Sequence, residues 1–327
     1  MADLTPFKYG KRKVGNRYNW EDLEAPYKFT GKPVFFVFGG NLTATTREAN
    51  GYAKLIGQTF RQFTASTADV ISVSYEGEIA ERVGRNLELS DRARNNAYAF
   101  FNQTIWPALK NANTEQQVRN VLKKMMFFGH SAGANIIGEI MKQVENVLLY
   151  KFNEDQAKVN DILGEIQCFC YAPGGAINQN VSTFYVCPFY DKESIWKKLI
   201  FEEKGNVRTQ YPEGFYDNID PTCQPVLGYA KRAIENDKFI AIRKSASLIL
   251  VTGKLCEKDD HSIACLKNRQ TEYSAYVSDI CESVLNCMMI NALYESNYSF
   301  HDAFNLLKVY AERSAKGQSG AQPGANE

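Results

Sequence analysis

The chain has 327 residues, of which 44% are hydrophobic and 23% are charged, and its formal net charge is +1. This composition is ordinary for a globular protein and is enough for one large α/β domain or two small ones. The near-zero charge argues against bulk binding to nucleic acid, and no apolar run in the sequence approaches the ~18 residues of a membrane span.

The first residues and the cysteines bear on the compartment. Met1 to Pro6 lack the charged-then-apolar pattern of a secretory signal, so we expect a cytoplasmic protein or one exported without a signal peptide. The eight cysteines have irregular spacing and form no paired Cys-x-x-Cys motif. In a chain of this kind they are predicted to be reduced thiols packed in a core, with no metal site.

Residues 1–30 form a polar, basic arm in which aromatic residues are interleaved with positive charges. The charged side chains are Lys8, Lys11, Arg12, Lys13 and Arg17, and the aromatic ones are Phe7, Tyr9, Tyr18 and Trp20. One interpretation is peripheral contact with an anionic membrane or with a partner surface. The alternative is an arm that lies on the domain with its rings in grooves.

The main domain, predicted over 31–314, alternates strands with helices. Its first strand, Val34–Phe38, is a continuous apolar run, typical of a strand covered on both faces in a parallel sheet. Further strands are predicted over 69–75, 125–128, 166–172, 181–191 and 245–253. Helices are predicted over 47–63, 92–109, 114–124, 133–150, 154–163, 273–294 and 300–310. This alternation predicts a mainly parallel sheet flanked by helices.

Two segments depart from the alternation. Residues 192–243 are rich in aromatic residues and proline, which suits an irregular cap-like insertion over a site or a surface excursion with a small core of its own. Residues 315–327 are small and polar and are predicted to form a disordered tail.

The strand that starts at Met125 runs into a Gly-x-Ser-x-Gly sequence. Gly129 and Gly133 remove side chains that would collide in a tight turn, which leaves the hydroxyl of Ser131 exposed at the end of the strand. The following helix points its amino end at this serine and favours an oxyanion there. Ser131 is therefore the candidate nucleophile, and a chance turn is the alternative.

The chain has three histidines that could activate a serine. His130 is next to Ser131, and adjacent side chains on such a turn point apart. His261 lies on a polar loop after a strong strand, at the sheet edge where catalytic groups gather. His301 lies at the start of a predicted helix, where a capping or surface role is more usual. His261 is the predicted base and His301 the alternative.

An acid is needed to orient that base. Asp191 ends a strand between Ser131 and His261, although it could instead cap the helix that follows. Asp217 and Asp220 fall in the cap-like insertion. Asp191 is the predicted acid.

The predicted oxyanion hole joins two backbone segments. Gly39 and Gly40 end the first strand, and their nearly bare backbone lets the loop approach a substrate oxygen. Serine hydrolases of this build take one N–H from such a loop and one from the residue after the nucleophile. Those groups are the N–H of Asn41 or Leu42, and the N–H of Ala132.

These motifs together resemble the α/β-hydrolase superfamily over roughly residues 32 to 290. They are most similar to the class 3 lipases, in which Gly-His-Ser-x-Gly is followed by a strand ending in Asp and then by His before a helix. Two features depart from that pattern: Gly39-Gly40 replaces the usual Gly-Thr, and Lys192 rather than Val-Pro follows Asp191. The Gly-Gly and Ser-Ala-Gly sequences are similar to the hormone-sensitive-lipase-like esterases instead.

The resemblance implies a serine hydrolase that cleaves carboxylic esters, with acyl lipids as the expected substrates, through a Ser-His-Asp triad and an acyl-enzyme. It implies no metal and no organic cofactor, and a small-molecule ester or lipid as substrate rather than nucleic acid. Two alternatives stay open. The same triad could serve an acyltransferase, thioesterase or peptidase, or the fold could belong to a binding protein without catalysis.

Overall fold

A nine-stranded sheet organises the residues described by the computed structural model, which are 8–14, 17–23, 26–40, 46–59, 67–74, 86–188, 219–226, 240–244, 247–252, 261–303 and 305. The strands are β1 Lys8–Val14, β2 Arg17–Leu23, β3 Val34–Phe38, β4 Asp69–Ser74, β5 Met125–His130, β6 Gln167–Tyr171, β7 Ser182–Cys187, β8 Ile240–Lys244 and β9 Ser247–Val251. Their order across the sheet is β2-β1-β4-β3-β5-β6-β7-β9-β8.

Six neighbouring strands, from β4 to β9 in that order, are parallel. This confirms the predicted α/β fold with a mainly parallel sheet. At one edge the β1–β2 hairpin pairs antiparallel with β4, and at the other edge β8 pairs antiparallel with β9. The hairpin lies within the predicted N-terminal arm, whose polar sequence gave no strand signal.

Seven α-helices accompany the strands in the described ranges. They are α1 Thr46–Thr59, α2 Asn86–Phe100, α3 Trp106–Leu109, α4 Glu115–Lys123, α5 Ala132–Lys151, α6 Gln156–Leu163 and α7 Glu272–Tyr294. Short 3₁₀ helices span Pro221–Val226 and Ile263–Lys267, and residues 300–303 are helical. The helix predicted over 114–124 begins as expected, because the Thr114 side chain accepts a hydrogen bond from the Gln117 N–H.

One predicted helix, over 92–109, is divided into three parts. A π-helical turn, Phe101–Ile105, separates α2 from α3, and the Trp106 N–H bonds to the Phe101 carbonyl. The cause is Pro107, which has no N–H and whose ring would strike the carbonyl of residue 103 in a regular helix. The wider turn accommodates the proline without ending the helical path.

Helices cover both faces of the sheet, as the ring contacts show. On one face Phe36 and Phe38 each lie 5.1 Å from the ring of Phe100 in α2. On the other face Phe184 of β7 lies 6.3 Å from Phe300, the first residue of the helical segment 300–303 that follows α7. All of these rings are nearly or fully buried, so the apolar runs of the sequence are explained by burial from two sides.

The described cysteines are buried free thiols, as predicted: Cys168, Cys170, Cys187, Cys223, Cys265, Cys281 and Cys287. None of the helices within the described ranges combines the length and the apolar character needed to cross a membrane. The predicted tail, and most of the predicted cap-like insertion, lie outside the described residues.

Candidate active site

The predicted tight turn joins β5 to α5, and Ser131 is its central residue. The backbone of Ser131 has φ 51° and ψ −120°, a conformation that side-chain-bearing residues rarely adopt. Its N–H donates to the Tyr171 carbonyl at 3.2 Å, and its carbonyl accepts from the Gly174 N–H at 2.8 Å. The end of β6 therefore holds the unusual backbone of Ser131 from both sides.

The two glycines of the turn are there for close contacts with neighbouring backbone. A Cβ on Gly133 would overlap the carbonyl oxygens of Phe38 and Gly39, and one on Gly129 would lie 2.9 Å from Ile137 Cδ1. The start of α5 can thus press against the end of β3. This is the steric role that the sequence predicted for both glycines.

That contact brings the Gly39-Gly40 segment to Ser131. A Cβ added to Gly40 would lie 3.3 Å from the Cβ of Ser131, so a larger residue here would crowd the serine. Ala132 is the first residue of α5, where a helix leaves its N–H groups without partners inside the helix. Asn41 and Leu42, the other predicted oxyanion residues, lie outside the described residues.

His261 has a buried carboxylate as its partner. Its Nδ1 lies 2.5 Å from Oδ2 of Asp220, whose side chain is 0% exposed. The other carboxylate oxygen, Oδ1, accepts hydrogen bonds from the backbone N–H of Thr222 at 2.9 Å and from its hydroxyl at 2.8 Å. Both oxygens of Asp220 are therefore satisfied, as a buried charge requires.

The strands set the position of this pair. The Asp220 N–H donates to the carbonyl of Pro188, which follows β7 directly, and His261 follows β9 along the chain. Burial by itself raises the pKa of the Asp220 carboxyl, but His261 and the hydrogen bonds from Thr222 hold it below its ordinary value. Asp220 is consequently ionised at neutral pH.

His130, beside the serine, connects the turn to His261. The two histidine rings lie 4.7 Å apart between centroids, at an interplanar angle of 51°. Burial, and then the nearby charge of His261, lower the pKa of His130 to about 3, so its ring is neutral at pH 7. His130 thus forms one wall against which His261 packs.

The predicted site residues that the structure brings together are Gly129, His130, Ser131, Ala132, Gly133 and His261. Asp191, the predicted acid, lies outside the described residues. The carboxylate that lies at His261 Nδ1 in the described residues is that of Asp220. Asp220 and Thr222 were missed as a pair, although Asp-Pro-Thr is a recognisable helix-start signal.

The alternative base, His301, is not brought to Ser131. It is exposed, and its Nδ1 lies 2.9 Å from Nδ2 of Asn305. Its neighbour Phe300 lines a pocket together with Gln167 and Ser182, the first residues of β6 and β7. His301 therefore belongs to the amino ends of the parallel strands, whereas Ser131 lies at the carboxyl end of β5.

Comparisons with known proteins do not assign the chain to a family. No family model matches it, and no curated protein does. Within the described residues, no group of histidine, cysteine or acidic side chains is arranged to hold a metal ion.

The variants Ser131→Gly and Ser131→Ala separate backbone strain from loss of the hydroxyl. Both remove the hydroxyl, but only glycine adopts φ 51° without steric cost. We expect the free energy of unfolding to be about 1 kcal/mol higher for Ser131→Gly, because a strained residue costs about 1–3 kcal/mol. Urea denaturation measures the difference. In the exposed helical control Ala157→Gly, glycine should lower stability by about 1 kcal/mol; the same sign at both positions would contradict strain at Ser131.

The buried, neutral ring of His130 predicts a pH dependence of stability. Its pKa is about 3 when folded, against 6.5 ordinarily. Between these values the unfolded chain binds a proton that the folded chain does not, so stability falls as the pH falls. From pH 7 to pH 5 we expect this residue to account for a loss of about 2 kcal/mol.

Urea unfolding at pH 7, 6 and 5 measures this dependence in the wild type and in His130→Gln. The variant lacks the titrating ring, so its stability should fall less over this range. His301→Gln is the matched control, because the ring of His301 is exposed. Equal slopes in the wild type and His130→Gln would contradict a buried neutral ring.

Proposed function

We propose that the protein is a serine hydrolase of the α/β-hydrolase superfamily that cleaves carboxylic esters. Ser131 is the nucleophile, His261 the base and Asp220 the acid. The observation that carries the proposal is the buried His261–Asp220 pair, packed through His130 against a serine with φ 51°. A surface turn in which Gly-x-Ser-x-Gly occurs by chance is not expected to combine these features.

The order of these residues along the chain and across the sheet supports the proposal. Ser131 follows β5, Asp220 is bonded to the residue after β7, and His261 follows β9. All three strands are parallel, so their carboxyl ends lie at one edge of the sheet. Serine, acid and histidine in this sequence order are typical of α/β-hydrolases.

In the proposed reaction the Ser131 oxygen attacks the ester carbonyl carbon while Nε2 of His261 takes its proton. Because Nδ1 faces Asp220, we assign this transfer to Nε2, and the carboxylate stabilises the resulting imidazolium. The N–H of Ala132 donates to the tetrahedral oxyanion. His261 then protonates the departing alcohol, and water releases the acid from the acyl-enzyme.

The kind of ester is a finer proposal. The resemblance to class 3 lipases suggests acyl lipids as substrates. Hydrolysis of a small test ester needs only the triad, so it does not depend on this finer proposal. Acyl transfer, thioester cleavage and peptide cleavage use the same groups. Product analysis with added alcohol, thioester or peptide separates them.

The first experiment asks whether Ser131 is a nucleophile. The full chain should hydrolyse p-nitrophenyl butyrate and be labelled by a fluorophosphonate probe, and Ser131→Ala should abolish both. Ser182→Ala is the matched control, because Ser182 lies at the amino end of β7 and bonds to the Gly164 carbonyl. A folded wild-type protein that neither reacts nor is labelled would indicate a binding protein without catalysis.

The second experiment assigns the acid. Asp220→Asn keeps the shape of the side chain but removes the charge that orients His261, so we expect kcat to fall by about 10²–10⁴-fold with little change in KM. Asp191→Asn tests the residue predicted from sequence, and Asp155→Asn, at the cap of α6, controls for surface effects. A large loss in Asp191→Asn with full activity in Asp220→Asn would reverse the assignment.

A further inference from the structure

His130 is held between a helix and the backbone of the proposed base. Its Nδ1 lies 2.9 Å from the hydroxyl oxygen of Tyr52 in α1, and its Nε2 lies 2.7 Å from the carbonyl oxygen of His261. The ring of Tyr52 is also 5.3 Å from that of His130 between centroids. The three residues come from distant parts of the chain, so only the fold brings them together.

The chemistry of the two contacts fixes where the protons are. A carbonyl oxygen only accepts, so Nε2 of His130 carries a hydrogen and donates it to His261. The buried ring is neutral, which leaves a lone pair on Nδ1, and the Tyr52 hydroxyl therefore donates to His130. The result is a directed chain from Tyr52 through His130 to the backbone of His261.

This chain acts on a part of His261 that Asp220 does not reach. Asp220 fixes the ring through Nδ1, whereas His130 fixes the backbone carbonyl just before the 3₁₀ helix Ile263–Lys267. A ring held at one atom can still move with its backbone. With both contacts made, the imidazole is fixed in position as well as in orientation, which proton transfer requires.

The same contacts prevent His130 from serving as the base itself. Both of its ring nitrogens are already hydrogen-bonded, one to Tyr52 and one to the His261 carbonyl. Taking a proton from Ser131 would break one of these bonds and place a charge in a fully buried site. His130 can therefore position other residues through its hydrogen bonds, but it does not take the proton.

We propose that His130 and Tyr52 are positioning residues that hold the backbone of His261 so that its ring meets Ser131. The inference rests on the proposed hydrolase function and adds two residues to it. Loss of the chain should lower the rate of proton transfer without altering how substrate binds. The expected signature is a fall in kcat with KM unchanged.

Tyr52→Phe is the sharpest variant, because it removes one hydroxyl and keeps the ring. We expect kcat for p-nitrophenyl butyrate to fall about 10-fold, with KM changed less than two-fold and fluorophosphonate labelling of Ser131 slowed. His130→Leu should lower kcat further. The amide of His130→Gln can donate to His261 and accept from Tyr52, so this variant should recover part of the lost kcat. Tyr98→Phe, at a half-exposed tyrosine of α2, is the control and should match the wild type.

A measurement independent of activity comes from nitrogen NMR of the histidine rings. His130 should carry its hydrogen on Nε2 in the wild type, and Tyr52→Phe should shift the Nδ1 resonance by removing its hydrogen bond. A hydrogen on Nδ1, or full activity in both Tyr52→Phe and His130→Leu, would overturn the inference. An inactive, unlabelled wild type would instead overturn the proposed function, so the two failures are distinguishable.

Discussion

The backbone of Ser131 is the constraint around which the site is built. A residue at φ 51° and ψ −120° holds that conformation only where its surroundings leave no other. Here the carbonyl of Tyr171 and the N–H of Gly174 bond to it from β6, while Gly133 allows the end of β3 to close in. Three adjacent parallel strands thus combine to hold one serine, which is buried and only 9% exposed rather than openly exposed as predicted.

A buried charge is the second requirement, and it explains why Thr222 matters. Removing a carboxylate from water is costly unless each oxygen is hydrogen-bonded. Asp220 meets that condition with His261 on one oxygen and Thr222 on the other. The Thr222 hydroxyl also lies 3.1 Å from the Ala172 carbonyl, which connects Asp220 to the β6 loop that holds Ser131.

Much of the central sheet could be predicted from the sequence, because strands buried on both faces need continuous apolar residues. Val34–Phe38 is the clearest case. The edge strands β1 and β2 could not be predicted, since a polar hairpin is stabilised by pairing with β4 rather than by its own hydrophobic pattern. The turn at Ser131 was predictable because only glycine fits at Gly129 and Gly133, where a Cβ would overlap neighbouring atoms.

The carboxylate partner of His261 was harder to predict, because the partner of a histidine is decided by distance in the folded chain. Asp191 and Asp220 both lie between Ser131 and His261 in sequence, so position along the chain cannot decide between them. The neutral state of His130 is equally a property of the fold, since it depends on burial and on His261.

The π-helical turn at Phe101–Ile105 has a geometric consequence for the way α2 and α3 are buried. One additional residue in a turn rotates everything after it by roughly 100° about the helix axis. Phe100 can therefore face the sheet while Ile105 and Leu109, which a straight continuation would aim elsewhere, are still fully buried. Two apolar stripes that differ in phase along the helix are thereby buried together.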